Sequence, residues 1–185
     1  MVSSKADEVL RHIERRAQRR YFPIIGPKRG CVLVELIRRI KPKRILEVGT
    51  FVGYSTILMG KELESDAEIV TIEIDKDEAE LAKHNIRKAE IRPRVTVLVG
   101  DALELSAKLD GRFDLVFLDA TKSEYLSYLK NVESNLQSGS VVLADNAGIY
   151  SYSMRSYLDY VRKSGKYESK FVPAGGDGIE VSTKL

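Results

Sequence analysis

From residue 44 onward, short apolar runs alternate with stretches of helical composition, and this alternation leaves few folds open. Candidate strands lie at 44–49, 68–74, 95–100, 113–119, 140–145, 167–173 and 178–184. Helix-like stretches fill 54–63, 76–90, 102–109 and 122–136, and another, 151–164, precedes the sixth strand. Parallel neighbours need a crossover connection, so strands alternating with helices of this length form βαβ units around a parallel sheet. The last two strands depart from that rule. Ala174-Gly-Gly-Asp-Gly178 joins them directly, which is hairpin chemistry, so one antiparallel C-terminal strand is expected to close the sheet. The expected fold is α/β, with a mostly parallel seven-stranded sheet and helices on both faces.

The chain, 185 residues long, reads as one domain, 1–185, with a basic N-terminal helical segment at 1–43 and the alternating core at 44–185. Residues 4–20 read as an amphipathic helix with Val9, Leu10, Ile13 and Ala17 on one side, a side that could serve a homodimer. Tyr21 to Gly30 reads as a Pro/Gly connector, followed by a second helix from Val32 to Ile40. Thirteen basic residues stand before Ile45 against four acids, Asp7, Glu8, Glu14 and Glu35. Such a run is either a solvated helix face or a phosphate-facing patch for RNA or an anionic substrate. No stretch has the apolar length to span a bilayer, and the charged N-terminus lacks the apolar region of a signal peptide, so the expected location is cytoplasmic. Cys31 is the single cysteine, which excludes an intrachain disulfide and a thiolate zinc site. His12 and His84 sit in exposed helical stretches, so serine– or cysteine–histidine catalysis has no support.

Ligands of such a sheet bind outside the C-terminal strand ends, and the residues there carry chemistry. The first strand runs through Ile45, Leu46 and Val48 into Gly49-Thr-Phe-Val-Gly53 and a helix. A strand, a glycine turn and a helix start offer free backbone N–H groups to a nucleotide-like ligand, although the same turn serves a ligand-free domain equally well. Glu47 adds a carboxylate near that end. Glu73, about twenty residues beyond Gly53 at the end of the second strand, suits both hydroxyls of a ribose. Gly100-Asp101-Ala102 could face an adenine edge, or Asp101 could simply cap the next helix. Asp119 ends the fourth strand and Asp145-Asn146 the fifth. Two carboxylates and an amide oxygen on adjacent strands suit Mg²⁺, unless the acids merely cap helices. The second glycine of Gly-x-Gly-x-x-Gly is missing and no P-loop motif is present, which argues against a nicotinamide dehydrogenase or a P-loop protein.

Five segments then stand in a known order and spacing: Glu47-Val-Gly-Thr-Phe-Val-Gly-Tyr-Ser55, Thr71-Ile-Glu-Ile74, Val116-Phe-Leu-Asp-Ala-Thr-Lys122, Leu143-Ala-Asp-Asn146 and Asp177-Gly-Ile-Glu180. From about Tyr21 to the C-terminus the chain resembles the S-adenosylmethionine- and divalent-metal-dependent O-methyltransferases related to catechol and caffeoyl-CoA O-methyltransferases. The resemblance implies a Rossmann-like class I methyltransferase fold and a methyl transfer to a hydroxyl of a small, catechol-like aromatic. It implies that Glu47, Gly49, Gly53 and Ser55 hold the methionine and sulfonium part of the cofactor. It further implies that Glu73 holds the ribose, and that Ile74 with Gly100, Asp101 and Ala102 borders the adenine. Asp119, Asp145 and Asn146 would bind Mg²⁺ or another divalent cation, with Asp119 also beside the cofactor and Lys122 as general base. Tyr21, Lys122, Tyr150 and Glu180 would face the acceptor, Glu180 at the glutamate that takes a hydrogen bond from a second hydroxyl. Its alternative is an outward-facing strand residue.

The chain also departs from that pattern. Thr121 stands where the catechol enzyme has an aromatic wall, and no long insertion follows Asn146, so an open acceptor site is expected. The basic N-terminal segment keeps two alternatives in play, methylation of a hydroxylated uridine in tRNA and a non-catalytic RNA-binding module.

Overall fold

The computed structural model describes residues 4–19 and 22–185. In chain order the elements are α1 (Lys5–Arg19), α2 (Gly26–Ile40), β1 (Arg44–Val48), α3 (Tyr54–Gly60), β2 (Glu68–Glu73), α4 (Lys76–Ala89), β3 (Arg94–Val99) and α5 (Ala102–Ser106). They continue with β4 (Phe113–Leu118), α6 (Tyr125–Val132), β5 (Leu136–Asp145), α7 (Arg155–Lys163), β6 (Tyr167–Ala174) and β7 (Asp177–Lys184). The seven strands form one sheet in the order β3-β2-β1-β4-β5-β7-β6. β7 runs antiparallel to both β5 and β6, while the other neighbours are parallel. The expected sheet is therefore present, with its one reversed strand.

Alternation along the strands divides the core into two faces. Ile45, Ile69, Leu115, Phe117 and Leu143 pack beneath α1, α2, α3 and α4. Leu46, Val48, Val116, Leu118 and Val142 pack against α5, α6 and α7 through Leu103, Tyr125, Leu129, Tyr157 and Val161. Successive strands step outward from β1 in one direction and from β4 in the other, so the chain reverses its winding between them. That switch point opens a crevice at the carboxyl ends of β1 and β4.

Several boundaries differ from the sequence reading. α2 begins at Gly26, so Pro27 and Gly30 lie inside it rather than in a connector. Proline suits the first turn, where no N–H partner is needed. Gly30 is buried against Leu58, where a Cβ would stand 2.7 Å from Cδ2, so glycine suits the close helix contact. β5 starts at Leu136, paired with Phe113 ahead of a register shift, although Gln137 to Gly139 carries no apolar signal. The 122–136 stretch is α6 flanked by 3₁₀ turns at Lys122–Glu124 and Glu133–Asn135. The apolar side of residues 4–20 does not await a second copy. Ala6, Val9, Leu10 and Ile13 are buried within the chain, in contact with α3 and α4.

Candidate active site

A cleft of about 820 Å³ lies at the carboxyl ends of β1, β2, β4 and β5, within the size range of small-molecule sites. Its first wall is the β1–α3 turn, represented by Gly49, Thr50, Phe51, Tyr54 and Ser55. Gly49 has φ +99, and a Cβ there would come within 2.2 Å of the Asp119 carbonyl oxygen, so only glycine lets the turn lie against the end of β4. Glu73 fastens the turn from below: one oxygen accepts from Phe51 N at 2.6 Å and the other from Asp75 N at 3.0 Å. Each of those oxygens keeps acceptor capacity for a further hydroxyl. Ile74, 72% exposed, and Gly100 to Ala102 continue this wall, with Asp101 also capping α5 through Leu103 N at 2.7 Å. The capping role and the cleft position thus coincide at Asp101.

Two sequence-predicted residues lie beneath this wall instead of lining it. Glu47 is fully buried, and its two oxygens accept from Ser55 Oγ and Thr56 Oγ1. Burial pushes its carboxyl up to about 7 against the opposing hydrogen bonds from Ser55, Thr56 and Thr71. Gly53, at φ +82, packs against Ala82 and Ile86 at the start of α3. Glu47 and Gly53 therefore hold up the wall, and Gly49 and Ser55 present it.

The opposite side gathers Asp119, Lys122, Asp145 and Asn146, all of which line the cleft. β4 and β5 are hydrogen-bonded neighbours, so their last residues meet without any long connection. Lys122 Nζ donates to Asp119 Oδ1 at 2.9 Å and to Tyr125 OH at 2.7 Å. Burial, then the charges of Asp119 and Asp145, raise the Tyr125 phenol well above its ordinary value, so it stays protonated. Asp145 Oδ1 accepts from Arg29 Nε at 2.7 Å, while its buried Oδ2 has no hydrogen-bond partner. Burial, then the Asp119 charge, raise the Asp145 carboxyl above the usual carboxylate range, with Arg29 and Lys122 pulling the other way. Among the described residues neither acid accepts from a helix-start N–H, so the capping alternative does not apply. Asn146 sits at φ +63, and its Nδ2 donates to Asp177 Oδ2 at 2.9 Å, which leaves its amide oxygen uncommitted.

An orphaned buried carboxylate oxygen, a second carboxylate repelling it and a free amide oxygen form a hard donor set, and these residues fit a divalent cation of the Mg²⁺ type. No group of three or more histidine, cysteine, aspartate or glutamate residues suited to a metal occurs among the described residues, and here the third donor is an amide.

Of the expected acceptor residues, Tyr150 lies on the rim, 45% exposed, beside Ile149. Tyr21 falls outside the described residues. Glu180 is not at the cleft. It faces α7, wholly buried, where Arg162 grips both oxygens at 2.7 and 2.6 Å and Ser169 Oγ donates at 2.8 Å. β7 pairs with β5 so that Glu180 stands opposite Ala144, which belongs to the α5–α7 face. The glutamate is thus neither an acceptor contact nor an outward-facing residue.

Sequence reasoning missed Arg29, Tyr125 and Asp177. Arg29 was one basic residue in a long run, and no spacing rule separates the one that turns inward. Asp177 stood within a recognised segment but read as hairpin chemistry. Burial alone would raise its carboxyl, yet hydrogen bonds from Asn146 and from the N–H groups of Ile149, Gly178 and Gly148 hold it below the ordinary value.

The O-methyltransferase family model matches residues 1–155. Catechol O-methyltransferase B of Danio rerio is 32% identical over 197 residues, covering 100% of this chain and 72% of the relative. Caffeoyl-CoA O-methyltransferase 1 of Eucalyptus globulus is 29% identical over 180 residues, covering 84% of this chain and 72% of the relative. Among solved structures, the O-methyltransferase TomG from Streptomyces achromogenes, in complex with S-adenosylmethionine, superposes with a TM-score of 0.86 at 26% identity. That match covers 97% of this chain and 90% of the other.

Proposed function

The chain belongs to the O-methyltransferase family and is an S-adenosylmethionine-dependent methyltransferase, and from that premise we propose that its acceptor is a hydroxyl of a small, catechol-like aromatic. In this reading Asp119, Asp145 and Asn146 hold Mg²⁺ or a similar cation, and Lys122 is the general base. The observation that carries it is the meeting of these four residues in one cleft with the Gly49 turn, with Asp145 Oδ2 buried and unpartnered. Relatives named as catechol and caffeoyl-CoA O-methyltransferases support the aromatic acceptor, as does the partly apolar rim at Ile149 and Tyr150.

S-adenosylmethionine supplies an electrophilic methyl group on a cationic sulfonium. A divalent cation at the three oxygen ligands would lower the pKa of an acceptor hydroxyl and fix its orientation. The remaining work falls to the chain. Gly49 and Ser55 border the methionine part, Glu73 accepts from the ribose hydroxyls, and Ile74 with Gly100 to Ala102 encloses the adenine. Lys122 Nζ, as the neutral amine left once its ammonium has released a proton to solvent, receives the acceptor's proton. Tyr125 can hold that nitrogen in either state, because its hydroxyl oxygen accepts an N–H from an ammonium and from an amine alike, leaving the amine lone pair free. Holding methyl and oxygen in line contributes much of the acceleration.

The test separates chemistry from binding. Lys122→Ala should lower kcat by about 10²–10⁴ and leave the Kd for S-adenosylmethionine nearly unchanged, as read by single-turnover kinetics and calorimetry. Equal losses in both would contradict the base assignment.

A further inference from the structure

We propose that Asp177, which does not line the cleft, is the positioning residue that decides which end of the Asn146 amide faces it. This rests on the reading above that Asn146 is a metal ligand. Asp177 opens β7, and its carboxylate is surrounded by donors. Oδ1 accepts from Gly148 N at 3.0 Å and Ile149 N at 2.9 Å, and Oδ2 accepts from Asn146 Nδ2 at 2.9 Å with Arg29 Nη1 at 4.0 Å. A carboxylate only accepts, so the Asn146 group turned toward it is the NH₂ and the amide oxygen faces the cleft that Asn146 lines. Ala147 N donates to Gly178 O at 3.0 Å, which ties the same loop to β7 a second time. An amide turned the other way would offer the cation a donor instead of an acceptor. Arg29 acts alongside: by taking Asp145 Oδ1 it leaves Oδ2 as the carboxylate oxygen with no hydrogen-bond partner. Outer contacts of this kind set ligand orientation, and their loss typically weakens metal binding 10- to 100-fold.

One substitution separates this role from general support of the loop. Asp177→Asn keeps an amide oxygen for the Gly148 and Ile149 N–H groups, so the loop retains its anchor, but it sets an NH₂ against the Asn146 NH₂. The Asn146 side chain must then turn over and present its own NH₂ to the cleft. Combining Asp177→Asn with Asn146→Asp exchanges the two groups. The amide at 177 donates to one carboxylate oxygen at 146, and the other oxygen returns to the cleft.

The experiment is Mn²⁺ binding to the full chain, read by the electron paramagnetic resonance of free Mn²⁺, with thermal midpoints in EDTA as the check on folding. Wild type should bind Mn²⁺, and Asp177→Asn should bind about 10- to 100-fold more weakly with little change in midpoint. The double variant should regain wild-type affinity or better. Unchanged affinity in Asp177→Asn, or a double variant as weak as the single, would overturn the proposal. A wild type that binds no Mn²⁺ would overturn the metal assignment together with it, whereas intact wild-type binding confines any failure to Asp177.

Discussion

Glu47 carries a carboxyl with no solvent exposure, yet it stands two residues before the Gly49 turn and reads in sequence as a ligand residue. Its folded pKa of about 7 exceeds the ordinary value of 4.5. Between those values the folded chain keeps a proton that the unfolded chain has lost. Stability from this group therefore falls as pH rises from 4.5 to about 7 and is level on either side, with an upper bound of about 3 kcal/mol. Glu47→Gln retains one acceptor and one donor for Ser55 and Thr56 and removes this slope. Thermal melts across that range should show the variant gaining on wild type as pH rises; parallel curves would contradict the burial argument. Glu180 is the second residue whose chemistry differs from its sequence reading. Glu180→Gln weakens its grip on Arg162 and should cost about 1–3 kcal/mol by denaturant titration, with the acceptor KM unchanged. A raised KM at unaltered stability would restore it to the acceptor site. In both cases the residue type and position were legible, but the direction of the side chain depends on strand register, which neighbouring strands set.

At the scale of elements, the β1–α3 turn shows what local sequence can specify. Gly49 reads as a turn glycine, and its φ of +99 agrees, but the 2.2 Å approach to Asp119 is a tertiary fact about β4. Gly49→Ala should cost about 1–3 kcal/mol from backbone strain and should also weaken S-adenosylmethionine binding, measured by calorimetry, because the turn must lift from β4. Wild-type affinity in that variant would separate the turn from the cofactor. Strands β1, β2 and β4 were legible within a residue because buried parallel strands are near-continuous apolar runs, and β3, half-exposed at the sheet edge, because Val95, Val97 and Val99 alternate along it. The start of β5 was not, since Gln137-Ser-Gly139 is polar and lies in the register shift between the Leu136–Phe113 and Val141–Leu115 pairs. The start of α2 was hidden for another reason: Pro27 and Gly30 read as breakers, yet one suits a first turn and the other a close helix contact with Leu58.

For the whole molecule, five of the thirteen basic residues before Ile45 are answered by acids of the core. Lys5 pairs with Glu90, Arg38 with Glu62, Lys43 with Asp66, Arg44 with Glu68 and Arg29 with Asp145. Most of these pairs are exposed and add little stability, about 0–1 kcal/mol each, but they reduce the positive field that an RNA partner would need. Part of the charge asymmetry visible in sequence thus becomes local pairing once the chain folds, and the apolar side of α1 becomes core. What remains distinctive is the meeting of the Gly49 turn and the oxygen-bearing side chains of Asp119, Asp145 and Asn146 in one cleft across the switch point between β1 and β4. The measurement that tests this assembly most directly is transfer of a labelled methyl group from S-adenosylmethionine to a simple catechol, first with Mg²⁺ and then with EDTA. Turnover with Mg²⁺ that EDTA abolishes and added Mg²⁺ restores is the expected result; turnover that persists unchanged in EDTA would contradict it.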